Sequence, residues 1–161
     1  MGPARMLVAY YSRSGNTRQV ARALASRLGA DIEEVRDTKD RSGILGFIIS
    51  GFDATVGRLT SLEPLKNDPS TYDLVVVGTP VWNGSVSTPI RTYLVQNRAG
   101  LRAVAFFCTC GGSSDRTFGQ MRSICGKEPV GVFELRSDSI ARREHMQKIW
   151  EFARSISRGT A

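Results

Sequence analysis

Short apolar runs alternate with amphipathic stretches from one end of the chain to the other. Met6-Leu7-Val8-Ala9-Tyr10-Tyr11 has the pattern of a strand covered on both faces. Leu74-Val75-Val76-Val77-Gly78, Val104-Ala105-Phe106-Phe107-Cys108 and Val130-Gly131-Val132-Phe133-Glu134-Leu135 repeat that pattern, and Ile32 to Val35 makes a shorter strand. Between these runs the apolar residues recur at helical spacing. Val20, Leu24 and Leu28 predict a helix that begins after Gly15-Asn16-Thr17 and stops at Gly29. Ile90, Tyr93 and Leu94 predict another, with Pro89 in its first turn where a missing N–H does no harm. Phe118, Met121 and Cys125 line a short helix, and Met146, Ile149, Trp150, Ala153 and Ile156 predict the buried face of the last one.

Five apolar strands separated by helices imply an α/β fold with a parallel sheet covered on both faces. Right-handed crossovers reduce the topologies to a doubly wound arrangement. At 161 residues the chain fits a single domain, residues 1–161. One segment exceeds the minimal plan, since roughly 35 residues separate the second and third strands, more than a crossover helix needs. Within it, Ile44-Leu45-Gly46-Phe47-Ile48-Ile49-Ser50-Gly51-Phe52 is strongly apolar. A core-facing helix is the expected reading, and a flap or dimer surface shaping a substrate pocket is the alternative.

Composition excludes several classes. The chain is 41% hydrophobic and 23% charged, ordinary for a globular protein. No run approaches the roughly 18 apolar residues of a membrane span, and Met1 to Arg5 lacks a signal-peptide layout, so a cytoplasmic protein without membrane insertion is expected. Cys108, Cys110 and Cys125 are odd in number and lack C-x-x-C spacing, which argues against a disulfide framework and a metal site. Buried structural thiols are expected instead. The net charge of +7 can steer a protein towards acidic partners, nucleic acid or anionic membrane surfaces. Its arginines are scattered, however, and a solvated surface explains them better.

Three loops carry the candidate chemistry, each after the C-terminal end of a strand. Ser12-Arg13-Ser14-Gly15-Asn16-Thr17 precedes the first helix, whose N-terminus offers unpaired N–H groups and partial positive charge to an anion. The loop has hydroxyl and amide side chains and a close-approach glycine. It lacks both G-x-x-x-x-G-K-[ST] and G-x-G-x-x-G. A single phosphate monoester suits it best, and a capped helix start is the plain alternative. The second loop is Thr79-Pro80-Val81-Trp82-Asn83-Gly84, with an aromatic face at Trp82 and a turn-forming Asn83-Gly84 pair. The third is Thr109-Cys110-Gly111-Gly112-Ser113-Ser114-Asp115. In a parallel sheet all three converge on the edge where ligands bind.

Taken together, the phosphate loop, Thr79-Pro80-Val81-Trp82 and the Gly111-Gly112 loop resemble the flavodoxin family in its short-chain form, from about residue 5 to residue 157. The resemblance implies strand order 2-1-3-4-5 and FMN at the sheet edge. It places the phosphate on the Ser12–Thr17 loop and the isoalloxazine between Thr79–Gly84 and Thr109–Asp115. Trp82 matches the family's flavin-flanking aromatic, and Asn83-Gly84 the peptide whose carbonyl reorients towards N5–H of the semiquinone. Two departures stand out. Cys110 to Ser114 contains no second aromatic, which leaves a flavin face open to a hydride donor or substrate. The chain is also basic, where electron-shuttling flavodoxins are usually acidic.

The flavin itself would carry the chemistry, so no catalytic acid–base pair is expected. His145 is expected on the surface of the last helix. Asp115 either hydrogen-bonds the flavin or caps the fourth helix, capping being the expected role. The leading reading is an FMN-binding redox protein. It would be either an NAD(P)H-dependent reductase of quinones or other small electron acceptors, or a one-electron carrier serving a redox partner protein. The alternative from another class is a non-enzymatic flavodoxin-fold module whose basic surface contacts an acidic protein or nucleic acid. A phosphate-dependent hydrolase is disfavoured, because no nucleophile with a paired base is visible in the loops.

Overall fold

The first apolar run forms β1 (Met6–Tyr10), with Leu7, Val8 and Ala9 fully buried. The structure, a computed structural model, describes residues 4–114, 116–142 and 144–159. After β1 come α1 (Asn16–Leu28), β2 (Asp31–Glu34) and α2 (Gly43–Thr55). The middle of the chain gives β3 (Leu74–Trp82), the two-residue β4 (Ser85–Val86), α3 (Thr88–Asn97) and β5 (Ala103–Cys110). It closes with α4 (Thr117–Cys125), β6 (Val132–Arg136), α5 (Ser137–Ala141) and α6 (Met146–Arg158). Gly29 ends α1 in the left-handed region at φ 62°, and Pro89 lies in the first turn of α3, both as the sequence predicts.

The sheet runs β2-β1-β3-β5-β6 with every neighbouring pair parallel, while β4 folds back antiparallel on the end of β3. With β4 set aside this is the expected 2-1-3-4-5 order. Alternation along the strands divides the core in two. Leu7, Ala9, Val75, Val77 and Phe106 pack with Ile90, Tyr93, Leu94 and Met121 of α3 and α4. Val8, Tyr10, Val76, Phe107 and Leu135 pack with Val20 and Leu24 of α1 and with Ile149, Phe152 and Ile156 of α6. Gly78 is required on β3 because a β-carbon there would collide with the ring of Phe107 on β5.

Several expectations are corrected. β3 continues past Gly78 to Trp82, so Thr79–Trp82 is strand and only Asn83-Gly84 is turn. Likewise Thr109 and Cys110 belong to β5. The apolar segment after β2 is a helix, but it is not core-facing. Ile44, Leu45, Phe47, Ile48 and Phe52 are all more than half exposed, and α2 turns Gly46, Ser50, Asp53 and Ala54 inwards. In α6, Met146 and Trp150 lie part-exposed at the rim and Phe152 takes a place in the core, stacked on Phe133. His145 is buried rather than on the surface, with Nδ1 3.3 Å from the Ser139 carbonyl and Nε2 3.5 Å from the Gln19 amide. The thiols are free and buried, as expected. Among the described residues no helix is long and apolar enough to cross a membrane.

Candidate functional site

The chain leaves β1 for β2 on one side and then returns to β3 on the other, so strand order reverses between β1 and β3. In open α/β sheets, the crevice beyond the strand C-termini at such a point is the ligand site. The loops after β1, β3 and β5 open there.

In the first loop Ser12 Oγ accepts a hydrogen bond from the Gly15 N–H at 3.1 Å, tightening the turn into α1. Gly15 has φ 103°, a conformation that favours glycine, and a β-carbon built on it would meet only open space. The first-turn N–H groups of α1 have no intrahelical partner, and Gly15 places no side chain in front of them. Thr17 is buried and its hydroxyl lies 2.8 Å from that of Thr109, which ties this loop to the end of β5. Ser14 is exposed at the loop's surface and Asn16 half-buried. Arg13 is committed elsewhere, since Nε donates to the Arg41 carbonyl and Nη2 to that of Gly43, each at 2.9 Å. Its guanidinium lies 5.3 Å from the centre of the Phe47 ring, so Arg13 anchors the start of α2.

At the end of β3 the buried Thr79 hydroxyl accepts the Ser87 N–H at 3.1 Å and lies 2.9 Å from the Ser87 hydroxyl. Pro80 and Val81 are half-buried. Asn83 (φ 49°) and Gly84 (φ 70°) both adopt positive φ, the requirement of a two-residue hairpin turn between β3 and β4. The turn is held from two sides. Asn83 Nδ2 donates to Thr55 Oγ1 at 2.7 Å, and Arg116 Nη2 donates to the Asn83 carbonyl at 3.2 Å.

Trp82 is only 8% exposed. The Tyr11 and Trp82 rings stand perpendicular at 5.4 Å between centres, and the Arg41 guanidinium lies over the Trp82 ring at 5.4 Å. Arg41 is itself buried and bridges two buried carboxylates, Asp37 at 2.5 Å and Asp53 at 3.1 Å. Burial works against its charge, but the two carboxylates outweigh that penalty and hold its pKa above the usual guanidinium value. Beside this network an apolar cleft of about 340 Å³ opens between Phe47, Ile48, Gly51 and Phe52 of α2 and Val81, Trp82 and Asn83.

In the third loop Thr109 and Cys110 are buried, whereas Gly111 and Gly112 are exposed and face open space. The Ser114 hydroxyl bonds one carboxylate oxygen of Glu134, and the Cys110 thiol donates to the other at 3.5 Å. Burial, reinforced by Glu134, pushes the Cys110 thiol up to about 11, and burial also raises Cys108. Both are protonated at neutral pH, consistent with structural rather than nucleophilic thiols. Asp115 lies outside the described residues.

The structure thus brings Ser12–Thr17, Thr79–Gly84 and Thr109–Gly112 to one edge and turns Arg13 away towards α2. It also adds groups that sequence reading missed, namely Tyr11, Asp37, Arg41, Asp53, Thr55 and Arg116. Two signals were available for these. Asp37 and Arg41 have i,i+4 spacing, and Asp53 is the lone acid in an otherwise apolar stretch.

The sequence pattern of the NADPH-dependent FMN reductases matches residues 5–141. The chain belongs to this family. Among solved structures it is similar to a flavoprotein from Lactobacillus acidophilus in complex with FMN, with 29% identity over 87% of this chain and 97% of that one, and a TM-score of 0.71. A putative flavoprotein from Bacteroides uniformis shares 18% identity over 89% and 99% of the two chains, with a TM-score of 0.69. Oxidised flavodoxin 2 from Bacillus cereus shares 19% over 97% and 99%, with a TM-score of 0.59. Comparison with curated proteins gives no match. This member of the NADPH-dependent FMN reductase family is an FMN-binding, flavodoxin-like redox protein.

Proposed function

We propose that the chain is an NAD(P)H-dependent flavin reductase that holds FMN across the three loops and passes electrons to a small acceptor. The observation that carries this reading is the convergence of the loops after β1, β3 and β5 beyond the strand ends at the switch point, with the Thr17–Thr109 hydroxyl contact tying the first loop to the third. A helix N-terminus and neutral donors suit the dianion of a flavin phosphate better than a polyphosphate, which calls for lysine or a bound cation. The phosphate is assigned to Ser12, Ser14, Gly15, Asn16 and Thr17, and the ring system to the space between Trp82–Gly84 and Thr109–Gly112. FMN supplies the electron and hydride chemistry when bound.

The chain's own residues then position and shield. Trp82 is fixed by Tyr11 and Arg41, so the hairpin wall is preorganised. Gly111 and Gly112 supply no side chain to the opposite wall, which favours access by a small molecule over a closed, electron-shuttling pocket. The apolar cleft beside Trp82 supports the same choice.

Two measurements test this reading. Thr17→Asp places a carboxylate beside the phosphate position and is expected to weaken FMN binding by well over tenfold, on the order of 1.4 kcal/mol or more. Unchanged affinity in a flavin fluorescence titration would move the phosphate elsewhere. With FMN bound, NAD(P)H alone should bleach the flavin absorbance. A flavin that stays oxidised until a reductase protein is added would make the chain a carrier instead.

A further inference from the structure

Helix α2 is built the wrong way round for a helix that serves the core. Its inward positions are Gly46, Ser50, Asp53 and Ala54, and its large apolar residues face out. Ile44 is 83% exposed, Leu45 71%, Phe47 63% and Ile48 60%, with Ile49, Phe52 and Val56 continuing the patch. A ligand in the cleft beside Trp82 would cover Phe47, Ile48 and Phe52, but Ile44, Leu45 and Ile49 lie outside that cleft. A bound substrate therefore does not account for the patch.

The charges around it narrow the choice of partner. Arg13 and Arg58 lie over the rings of Phe47 and Phe52, both at 5.3 Å, so cationic heads stand at the margin of the apolar face. Lys39 and Arg58 are more than half exposed while they reach the buried Asp53. The acid inside the helix is thus withdrawn, and Asp40, just before it, is the exposed acid at that end. A second copy meeting this face would bring the same cations against each other in a chain of net charge +7. An anionic lipid surface meets both features, since apolar side chains enter the acyl boundary while arginines stay among the phosphates. At 13 residues α2 is far short of the roughly 20 needed to span, so it would lie in the interface.

We infer that α2 is an interfacial helix that docks this protein on anionic membrane surfaces, with the cleft beside Trp82 held at the lipid boundary. The docking does not require the proposed reductase activity.

The test is flotation of FMN-loaded protein with vesicles of phosphatidylcholine alone or with roughly 30% phosphatidylglycerol, followed by protein stain and flavin absorbance. Binding is expected to the anionic vesicles only and to weaken in high salt. The double variant Ile44→Asp/Leu45→Asp is expected to lose at least tenfold in partition, and the exposure of both positions keeps its fold intact, as circular dichroism would check. No binding to anionic vesicles, equal binding to neutral ones, or unchanged binding by the double variant would each overturn the inference. So would a dimer in sedimentation that the same variant dissociates, because the face would then be a seam between copies. Flavin lost from a floating protein would fault the cofactor site and leave the docking standing.

Discussion

In α6, Ile149, Phe152, Ala153 and Ile156 point into the sheet, whereas α2, also thirteen residues long, turns in Gly46, Ser50, Asp53 and Ala54. The first helix is held by removing apolar area from water, which stabilises by about 25 cal/mol per Å². The second buries almost no large side chain. It is held by the Arg41 ion network, by the two bonds from Arg13 to backbone carbonyls, and by the Asn83–Thr55 bond at its far end. The difference shows that an apolar stretch does not identify a core. What decides orientation here is that the polar partner of Asp53 is itself buried, so Asp53 must go in and the large side chains must come out.

That contrast can be broken most severely at Arg41. Arg41→Met leaves Asp37 and Asp53 buried beside each other without their shared cation, and is expected to cost about 3–5 kcal/mol in urea unfolding. A loss below about 1 kcal/mol would mean that Lys39 and Arg58 suffice and that the network does not hold α2. Next in size, Ile149→Ala in α6 should cost about 2–5 kcal/mol, while Ile44→Ala in α2 stays within about 0.5 kcal/mol. Similar losses at both sites would show that α2 is covered by something the fold itself supplies. A smaller loss than at Arg41 or Ile149 is expected at Gly46. Alanine favours an isolated helix by about 1 kcal/mol over glycine, yet here its methyl group would strike the backbone of Arg41. A net destabilisation of about 1–3 kcal/mol is expected from that overpacking, read by the same unfolding curves. A stabilised Gly46→Ala protein would mean that α2 stands off from Arg41.

The sheet was legible because its inner strands are buried on both faces and so read as continuous apolar runs. Leu74 to Val77 is the clearest of them, because it is short, rich in β-branched residues and closed by Gly78. The end of β3 was less legible, since Pro80 and the polar Thr79 imitate a loop, although the parallel pairing with β5 extends through both. The loops after β1, β3 and β5 follow strand C-terminal ends, so strand order alone was enough to bring them to one edge. The state of Trp82 was out of reach, because it depends on Tyr11 and Arg41, which meet it only through the crossing of β1 and the segment after β2. His145 failed for a similar reason. One histidine before an amphipathic helix looks solvated until Gln19 of α1 and Ser139 of α5 close over it.

The hydroxyl contact between Thr17 and Thr109 joins residues 92 positions apart. In the proposed site the flavin spans both loops, so it would meet them only after the sheet has closed, and the unfolded chain offers it no comparable site. FMN then acts as a folding ligand. At a free concentration one hundred times its dissociation constant it adds about 2.7 kcal/mol to the stability of the native state. Because proteases remove chains chiefly from the unfolded pool, the cellular abundance of this protein would follow the supply of its flavin.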